Sequence, residues 1–266
     1  MRIWALLIIL AALTGCQASS GGARPGGASG AGGVGGVEQA WLFARVMVPA
    51  SAVNGSSAME VAVWADPDHW QEAVRAQLRN PGGKMPAAVF LHGCAGLPGN
   101  TVFVEYLARQ GIAVFAPNSF GRSGRRAACY AQKGTPVYEY RAEEIAYALA
   151  RVREISWVDG SRIILVGHSE GGEAAARWSE KGFKALVISG ADCSHSGPAG
   201  SPLVPTDVPV LAIIGANDRP EWPGCKLWGR DAPSKSVIIP NAGHAVYKTP
   251  EGQREITAFL KACCGG

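Results

Sequence analysis

The sequence predicts an α/β fold in which a mainly parallel central sheet of about eight strands is flanked by helices. Short apolar runs alternate along the chain with segments whose apolar residues recur at helical spacing. Strands that alternate with helices form parallel sheets covered on both faces. The composition agrees, because 47% apolar and 17% charged residues are ordinary for a globular protein. Residues 37–266 are long enough for one such domain with a sizeable core.

Turn-forming residues divide this domain into short segments. Eight apolar runs bounded by Gly, Pro, Asn or Asp predict strands: Ala40–Val48, Met59–Trp64, Ala87–Leu91, Ile112–Ala116, Ile163–Gly167, Ala185–Ser189, Val210–Gly215 and Ser236–Ile239. The first two are expected to pair antiparallel. Four segments with apolar residues at helical spacing predict helices: Val102–Arg109, Ala142–Arg153, Glu170–Lys181 and Glu251–Ala262.

Residues 163–176 predict a buried strand, a tight turn and a helix. Four branched apolar residues precede the turn and an alanine run follows it. Ser169 lies at the bend, with Gly167 and Gly171 two residues before and after it. This Gly-x-Ser-x-Gly pattern is typical of a nucleophile elbow, in which a strained turn exposes the serine hydroxyl. A passive serine in a glycine-rich turn is the alternative interpretation.

Two further candidates follow the last two predicted strands. Asp218 comes after Val210–Gly215, and His244 comes after Ser236–Ile239. In parallel sheets, chemistry collects at the carboxyl ends of the strands. A serine is a weak nucleophile until a histidine accepts its proton, and a carboxylate holds that histidine in the required tautomer. We therefore expect Ser169, His244 and Asp218 to form a catalytic triad, with Asp192 as the alternative carboxylate.

The loop after the third predicted strand, His92-Gly93-Cys94-Ala95-Gly96, is rich in glycine and precedes a helix. Backbone N–H groups of such a loop can face the nucleophile and stabilise an oxyanion. The backbone N–H groups of Cys94 and Glu170 are the expected donors. A purely structural turn is the alternative interpretation of this loop.

The first 36 residues predict export and attachment to a membrane. Arg2 is followed by an apolar run from Trp4 to Leu13, which is short for a membrane span and typical of a signal peptide. The ending Leu-Thr-Gly-Cys resembles the lipobox of bacterial lipoproteins, which implies lipid attachment at Cys16 in the bacterial cell envelope. Residues 17–36 are mostly Gly, Ala and Ser, which predicts a flexible tether. An ordinary secretory signal cut elsewhere and an uncleaved helix are the alternatives.

Cysteine usage is also consistent with export. A lipid on Cys16 would leave an even number of cysteines in an exported chain, which indicates disulfides. We favour the pair Cys193 and Cys225, because both are expected in loops after neighbouring strands. The other pairings stay open among the six remaining cysteines: Cys94, Cys129, Cys193, Cys225, Cys263 and Cys264.

The composition gives little support to several other functions. No Cys-x-x-Cys or His-x-x-x-His spacing indicates zinc, so neither a metal nor another cofactor is expected. The net charge of +4 arises from scattered basic residues, which does not favour nucleic-acid binding. No long insertion for a lipase-type lid is apparent, which disfavours large interfacial lipid substrates.

Five segments together resemble the α/β-hydrolase superfamily and, within it, the dienelactone hydrolase family: 91–96, 116–121, 167–172, 215–218 and 243–244. The resemblance runs from about Ala40 to the end of the chain and implies an α/β-hydrolase fold. It differs from that family at the elbow, where dienelactone hydrolases use cysteine, and at His92 and Gly93, near which they use a glutamate. The resemblance therefore implies a related serine esterase.

The same resemblance suggests where a substrate could bind. Dienelactone hydrolases bind a substrate carboxylate through two arginines, and here Arg122 and Lys248 stand approximately at those places. Lysine offers a point charge where arginine clamps a carboxylate with two hydrogen bonds. Solvated loop cations are the alternative interpretation. Trp222 is expected to wall an apolar pocket near the site, unless it completes the core.

These features together predict a secreted, lipid-anchored serine hydrolase that cleaves a carboxylic ester or related acyl bond of a small molecule. Peptidase or acyltransferase chemistry would use the same residues. A protein of a different class, a catalytically idle envelope lipoprotein that binds a partner, is the other alternative.

Overall fold

The computed structural model describes residues 35–125, 129, 136–219 and 223–264. The predicted signal peptide, 1–16, and all but the last two residues of the predicted tether, 17–36, lie outside the described residues. Six α-helices occur in the described part: α1 Gly35–Leu42, α2 Trp70–Gln77, α3 Thr101–Arg109, α4 Val137–Arg153, α5 Glu170–Ala176 and α6 Pro250–Cys264. Eight strands accompany them: β1 Arg45–Val48, β2 Met59–Ala62, β3 Met85–Leu91, β4 Ala113–Ala116, β5 Val158–His168, β6 Leu186–Ser189, β7 Val210–Gly215 and β8 Lys235–Ile239.

The eight strands form one sheet in the order β2-β1-β4-β3-β5-β6-β7-β8. Strand β1 pairs antiparallel with β2 and β4, whereas the strands from β4 to β8 pair parallel. This confirms the predicted mainly parallel sheet, its number of strands and its antiparallel start. The carboxyl ends of β3 to β8 consequently lie along one edge of the sheet.

Apolar side chains cover both faces of the sheet, as the continuous apolar runs predict. In β3, Ala87, Val89 and Leu91 belong to one core, and Ala88 and Phe90 belong to the other. This alternation follows from the two-residue repeat of a strand. Because β3 is buried on both faces, the loop that follows it emerges from a rigid base.

Some predicted boundaries are wrong, and one helix was not predicted. The run from Ala40 is helical up to Leu42, and strand β1 begins only at Arg45. Helix α2 was not predicted, because its buried Trp70 and Val74 are embedded in a mostly polar segment. Helix α5 ends at Ala176 rather than at Lys181. The Ala176 carbonyl instead accepts a hydrogen bond from the N–H of Leu203 (2.7 Å), so it is satisfied without another helical turn.

Two disulfides tie loops to one another. Cys193–Cys225 confirms the predicted pair, and Cys94–Cys129 is a pairing that the sequence left open. No helix in the described part of the chain is long and apolar enough to cross a membrane.

Candidate active site

Ser169 forms a sharp turn between β5 and α5. Its backbone has φ 58° and ψ −123°, a left-handed conformation that residues with a Cβ rarely adopt. The turn is so tight that a Cβ on Gly167 would lie 2.1 Å from the Gly171 carbonyl oxygen. A Cβ on Gly171 would lie 2.1 Å from the carbonyl oxygen of Leu91. Only glycine fits at these two places, so the Gly-x-Ser-x-Gly spacing has a steric cause.

The loop after β3 lies directly against this turn. A Cβ on Gly93 would be 3.1 Å from Ser169 Cβ, which shows how closely the two segments approach. The Gly93 N–H donates to Asn100 Oδ1 (2.8 Å) and so fixes the loop to the start of α3. Cys94 follows Gly93, and its side chain is held by the disulfide to Cys129.

The two expected oxyanion donors come from these two segments. Glu170 is the first residue of α5, where a helix leaves its N–H groups without partners inside the helix. Within the residues that the structure describes, neither the Glu170 N–H nor the Cys94 N–H donates a hydrogen bond to the protein. Both groups therefore stay available to an oxyanion beside Ser169.

Asp218 and His244 are in direct contact. His244 Nδ1 lies 2.8 Å from Asp218 Oδ2, a hydrogen bond in which the ring donates to the carboxylate. The Asp218 side chain is 6% exposed, whereas that of His244 is 44% exposed. Because Nδ1 carries the proton in this pair, Nε2 of the neutral ring is left as an acceptor.

The hydrogen bonds also distinguish Asp218 from Asp192, the alternative carboxylate. Asp192 accepts hydrogen bonds from Ser194, at 2.6 Å from its Oγ and 3.3 Å from its backbone N–H. No hydrogen bond joins Asp192 to His244. The structure therefore favours Asp218 as the partner of His244.

His168 links the elbow to the loop that carries His244. The centroids of the two imidazole rings are 4.8 Å apart, and the His168 ring also packs against Phe103 and Tyr247. No hydrogen bond joins the Ser169 hydroxyl to His244 in this structure. Catalytic hydrogen bonds often tighten only when substrate is bound. The contact between the His168 and His244 rings nevertheless shows that the turn at Ser169 and the loop that carries His244 are neighbours at the same edge of the sheet.

Two other histidines in this region are structural. Burial, with a smaller contribution from the nearby His244, lowers the pKa of His168 to about 3. Burial also holds the pKa of His92 well below its usual value, with a smaller contribution from Arg141. The His92 ring accepts a hydrogen bond at Nε2 from the Ser119 N–H (3.0 Å), so Nδ1 is the atom that donates to the Gly93 carbonyl (2.7 Å). Both rings are therefore neutral at pH 7.

A buried group of charged side chains behind the elbow was not predicted. Arg141 and Glu144 on α4 are both fully buried, and Arg141 forms ion pairs with Glu144 and Glu170. Arg125 also forms an ion pair with Glu170. Arg141 and Glu144 continue the apolar face of α4 toward its N-terminus. The sequence offered one signal of this buried group, namely charged residues in phase with an apolar helix face. It could not identify their partners, because distant segments supply them.

The three predicted substrate-binding residues have different positions. Arg122 is 5% exposed, pairs with Glu143 (2.6 Å) and stacks on the Tyr140 ring, 4.1 Å from the guanidinium carbon to the ring centroid. A substrate carboxylate would have to displace that glutamate, so the structure gives no support to the expected role of Arg122. Lys248 is exposed, four residues after His244. Trp222 lies outside the described residues.

The described residues contain no group of three or more His, Cys, Asp or Glu side chains that could hold a metal ion. The arrangement instead combines a strained serine, a histidine paired with a carboxylate, and unpaired N–H groups. Such a site can carry out acyl transfer through a serine nucleophile.

A family model described as "Alpha/beta hydrolase family" matches residues 88–223, just over half of the sequence. The chain belongs to the alpha/beta hydrolase family. No curated protein matches the sequence significantly.

Two solved structures are similar to this chain in fold. An acetyl xylan esterase from Paenibacillus sp. R4 is 19% identical with a TM-score of 0.52, over 68% of this chain and 75% of that one. A protein from Klebsiella pneumoniae assigned as a dienelactone hydrolase is 19% identical with a TM-score of 0.50, over 70% of this chain and 89% of that one. At this identity the likeness concerns the fold.

Proposed function

We propose that the protein is a serine hydrolase that cleaves a carboxylic ester or related acyl bond of a small molecule. The observation that carries this proposal is the Asp218–His244 hydrogen bond at the sheet edge where the strained Ser169 faces the Gly93–Cys94 loop. The family and the esterase neighbours support the same reaction class.

The reaction has two halves. Ser169 Oγ attacks the substrate carbonyl carbon while His244 Nε2 accepts the hydroxyl proton, and Asp218 stabilises the imidazolium that forms. The negative oxygen of the tetrahedral intermediate accepts hydrogen bonds from the N–H groups of Cys94 and Glu170. His244 then gives the proton to the leaving alcohol, which leaves an acyl group on Ser169. A water molecule, deprotonated by His244, attacks that acyl group and releases the acid.

A fluorophosphonate probe tests this mechanism, because it phosphonylates serines that are activated as nucleophiles. We expect mass spectrometry to locate the probe on Ser169 and expect Ser169→Ala to remove both labelling and hydrolysis of p-nitrophenyl esters. Asp218→Asn should lower kcat by about 10³- to 10⁴-fold, since it leaves His244 in the wrong tautomer. Asp192→Asn is the matched control and should retain most activity.

The outcomes separate the alternatives. Activity that survives in Ser169→Ala would contradict the proposal, and a wild-type protein that neither labels nor hydrolyses esters would favour the idle binding module. Labelling of Ser169 without ester hydrolysis would direct the search to peptides or acyl acceptors. Rates on matched esters with and without a carboxylate measure whether the protein prefers anionic substrates. If Lys248 causes such a preference, Lys248→Ala should abolish it.

Export and lipid attachment at Cys16 are part of the same proposal. The Leu13–Cys16 motif carries it, and the two disulfides support it, because disulfides persist in oxidising compartments. We expect the protein in the membrane fraction of a bacterial host, and we expect Cys16→Ser to release it. Equal distribution of both forms would contradict attachment at this residue.

A further inference from the structure

Arg141 connects the two segments that carry the expected oxyanion donors. Its Nη2 donates to the backbone carbonyl of His92 (2.8 Å) and to Glu170 Oε1 (2.9 Å). His92 lies two residues before Cys94, and Glu170 directly follows Ser169. One nitrogen atom thus contacts both segments that carry the expected oxyanion donors.

The remaining donors of Arg141 strengthen these contacts. Its Nε donates to Glu170 Oε1 (3.2 Å), and its Nη1 donates to Glu144 Oε2 (3.3 Å). Glu144 in turn accepts a hydrogen bond from the Ser119 hydroxyl (2.8 Å), in the loop after β4. A single side chain of α4 is therefore tied to the carboxyl ends of β4, β3 and β5, which are neighbours in the sheet.

Packing alone does not explain why an arginine occupies this buried position of α4. Beyond Glu144, the residues on the same face of α4, Ile145, Ala148 and Leu149, are apolar and buried. An apolar residue at position 141 would extend that face without the desolvation cost of a fully buried guanidinium. The planar fork of arginine also fixes the angle between its acceptors, which a lysine ammonium cannot do. A buried arginine is thus suited to holding two loops at a set separation.

We propose that Arg141 is a positioning residue that sets the separation of the Cys94 and Glu170 N–H groups. Arg141 contacts neither substrate nor Ser169, and it acts through the His92 carbonyl and the Glu170 carboxylate. Arg125 assists by pairing with the same Glu170 oxygen. This inference rests on the proposed serine hydrolase function, because the separation of the donors matters only if an oxyanion forms between them.

The test compares Arg141→Met, which removes the fork and the charge, with Arg141→Lys, which keeps the charge alone. We expect Arg141→Met to lower kcat for p-nitrophenyl acetate by about 10²-fold, as a displacement near 1 Å does. The KM should change by less than about threefold, since ester binding in the ground state does not use the oxyanion donors. Arg141→Lys should fall between Arg141→Met and the wild type.

Inhibition by a boronic acid is a measurement that would not change if Arg141 only stabilised the fold. Phenylboronic acid forms a tetrahedral adduct with an activated serine, and its inhibition constant should rise in parallel with the loss in kcat/KM. The matched control is Arg230→Met, because Arg230 also ties a loop through backbone carbonyls, those of Pro205 (2.6 Å) and Val208 (2.8 Å). Arg230→Met should lose thermal stability while it retains kcat and boronate affinity.

Retained kcat and boronate affinity in a folded Arg141→Met protein would overturn the inference, and so would equal losses in Arg230→Met. If Arg141→Met does not fold, Arg141→Lys decides by the same two measurements. Failure of the proposed function is recognised separately, because activity would then either survive in Ser169→Ala or be missing from the wild-type protein.

Discussion

Replacing Ser169 with glycine should make the protein more stable while it abolishes catalysis. The serine holds φ 58° and ψ −123°, and a residue with a Cβ in a sparsely populated region of this kind costs about 1–3 kcal/mol. Glycine adopts the same backbone without that cost. Glycine also has more conformational entropy than serine in the unfolded chain, which lowers the free energy of unfolding by up to about 1 kcal/mol. The expected net increase in the free energy of unfolding is therefore about 1 kcal/mol.

The control is Ser169→Ala, which also removes the hydroxyl but retains the Cβ and therefore the strain. Both variants keep the hydrogen bond from the N–H of residue 169 to the Ser189 carbonyl (2.8 Å). For a domain of this size, 1 kcal/mol corresponds to about 2–4 °C in Tm. Calorimetry of the purified variants should place Ser169→Gly above Ser169→Ala by about that interval. Equal melting temperatures, or a lower one for the glycine variant, would refute the reasoning.

Two further predictions concern the disulfide at the site and the buried histidine. The Cys94–Cys129 bond spans 35 residues, so Cys129→Ser should lower the free energy of unfolding by about 3–4 kcal/mol. It should also lower kcat more than it changes KM, by loosening the Cys94 loop, and an unchanged kcat would contradict that link. Burial, with a smaller contribution from His244, lowers the pKa of His168 from 6.5 to about 3. Between these two pH values the unfolded chain therefore binds a proton at this residue that the folded chain does not. Stability should therefore fall as the pH falls below 6.5, by up to about 1.4 kcal/mol per pH unit. Urea unfolding should show a shallower acid dependence in His168→Phe, and an identical slope would exclude His168 as a source.

The positions of the candidate triad residues could be predicted because these residues follow the ends of strands. Ser169, Asp218 and His244 each follow an apolar run that stops at a glycine or proline, and such punctuation is visible in the sequence. The order of these runs along the chain, with helices between them, is enough to bring their carboxyl ends to one edge. The structure places all three residues at that edge.

What could not be predicted depends on contacts between distant segments. Arg141 and Glu144 occupy core-facing positions of α4, but their partners come from loops up to 49 residues away. The sequence likewise gave no means of pairing Cys94 with Cys129. The buried state of Arg122 was missed for the same reason, because Glu143 and Tyr140 surround it only in the folded chain.

The candidate site draws its residues from two separate groups of strands. The histidine and its carboxylate depend on β7 and β8, whereas Cys94 and the arginine network depend on β3, β4 and α4. Ser169, at the end of β5, stands between them. In the proposed mechanism, proton transfer and the Cys94 side of the oxyanion site therefore rely on separate parts of the chain, so a protein engineer could alter the acid–base residues without changing the Cys94 loop, and the reverse.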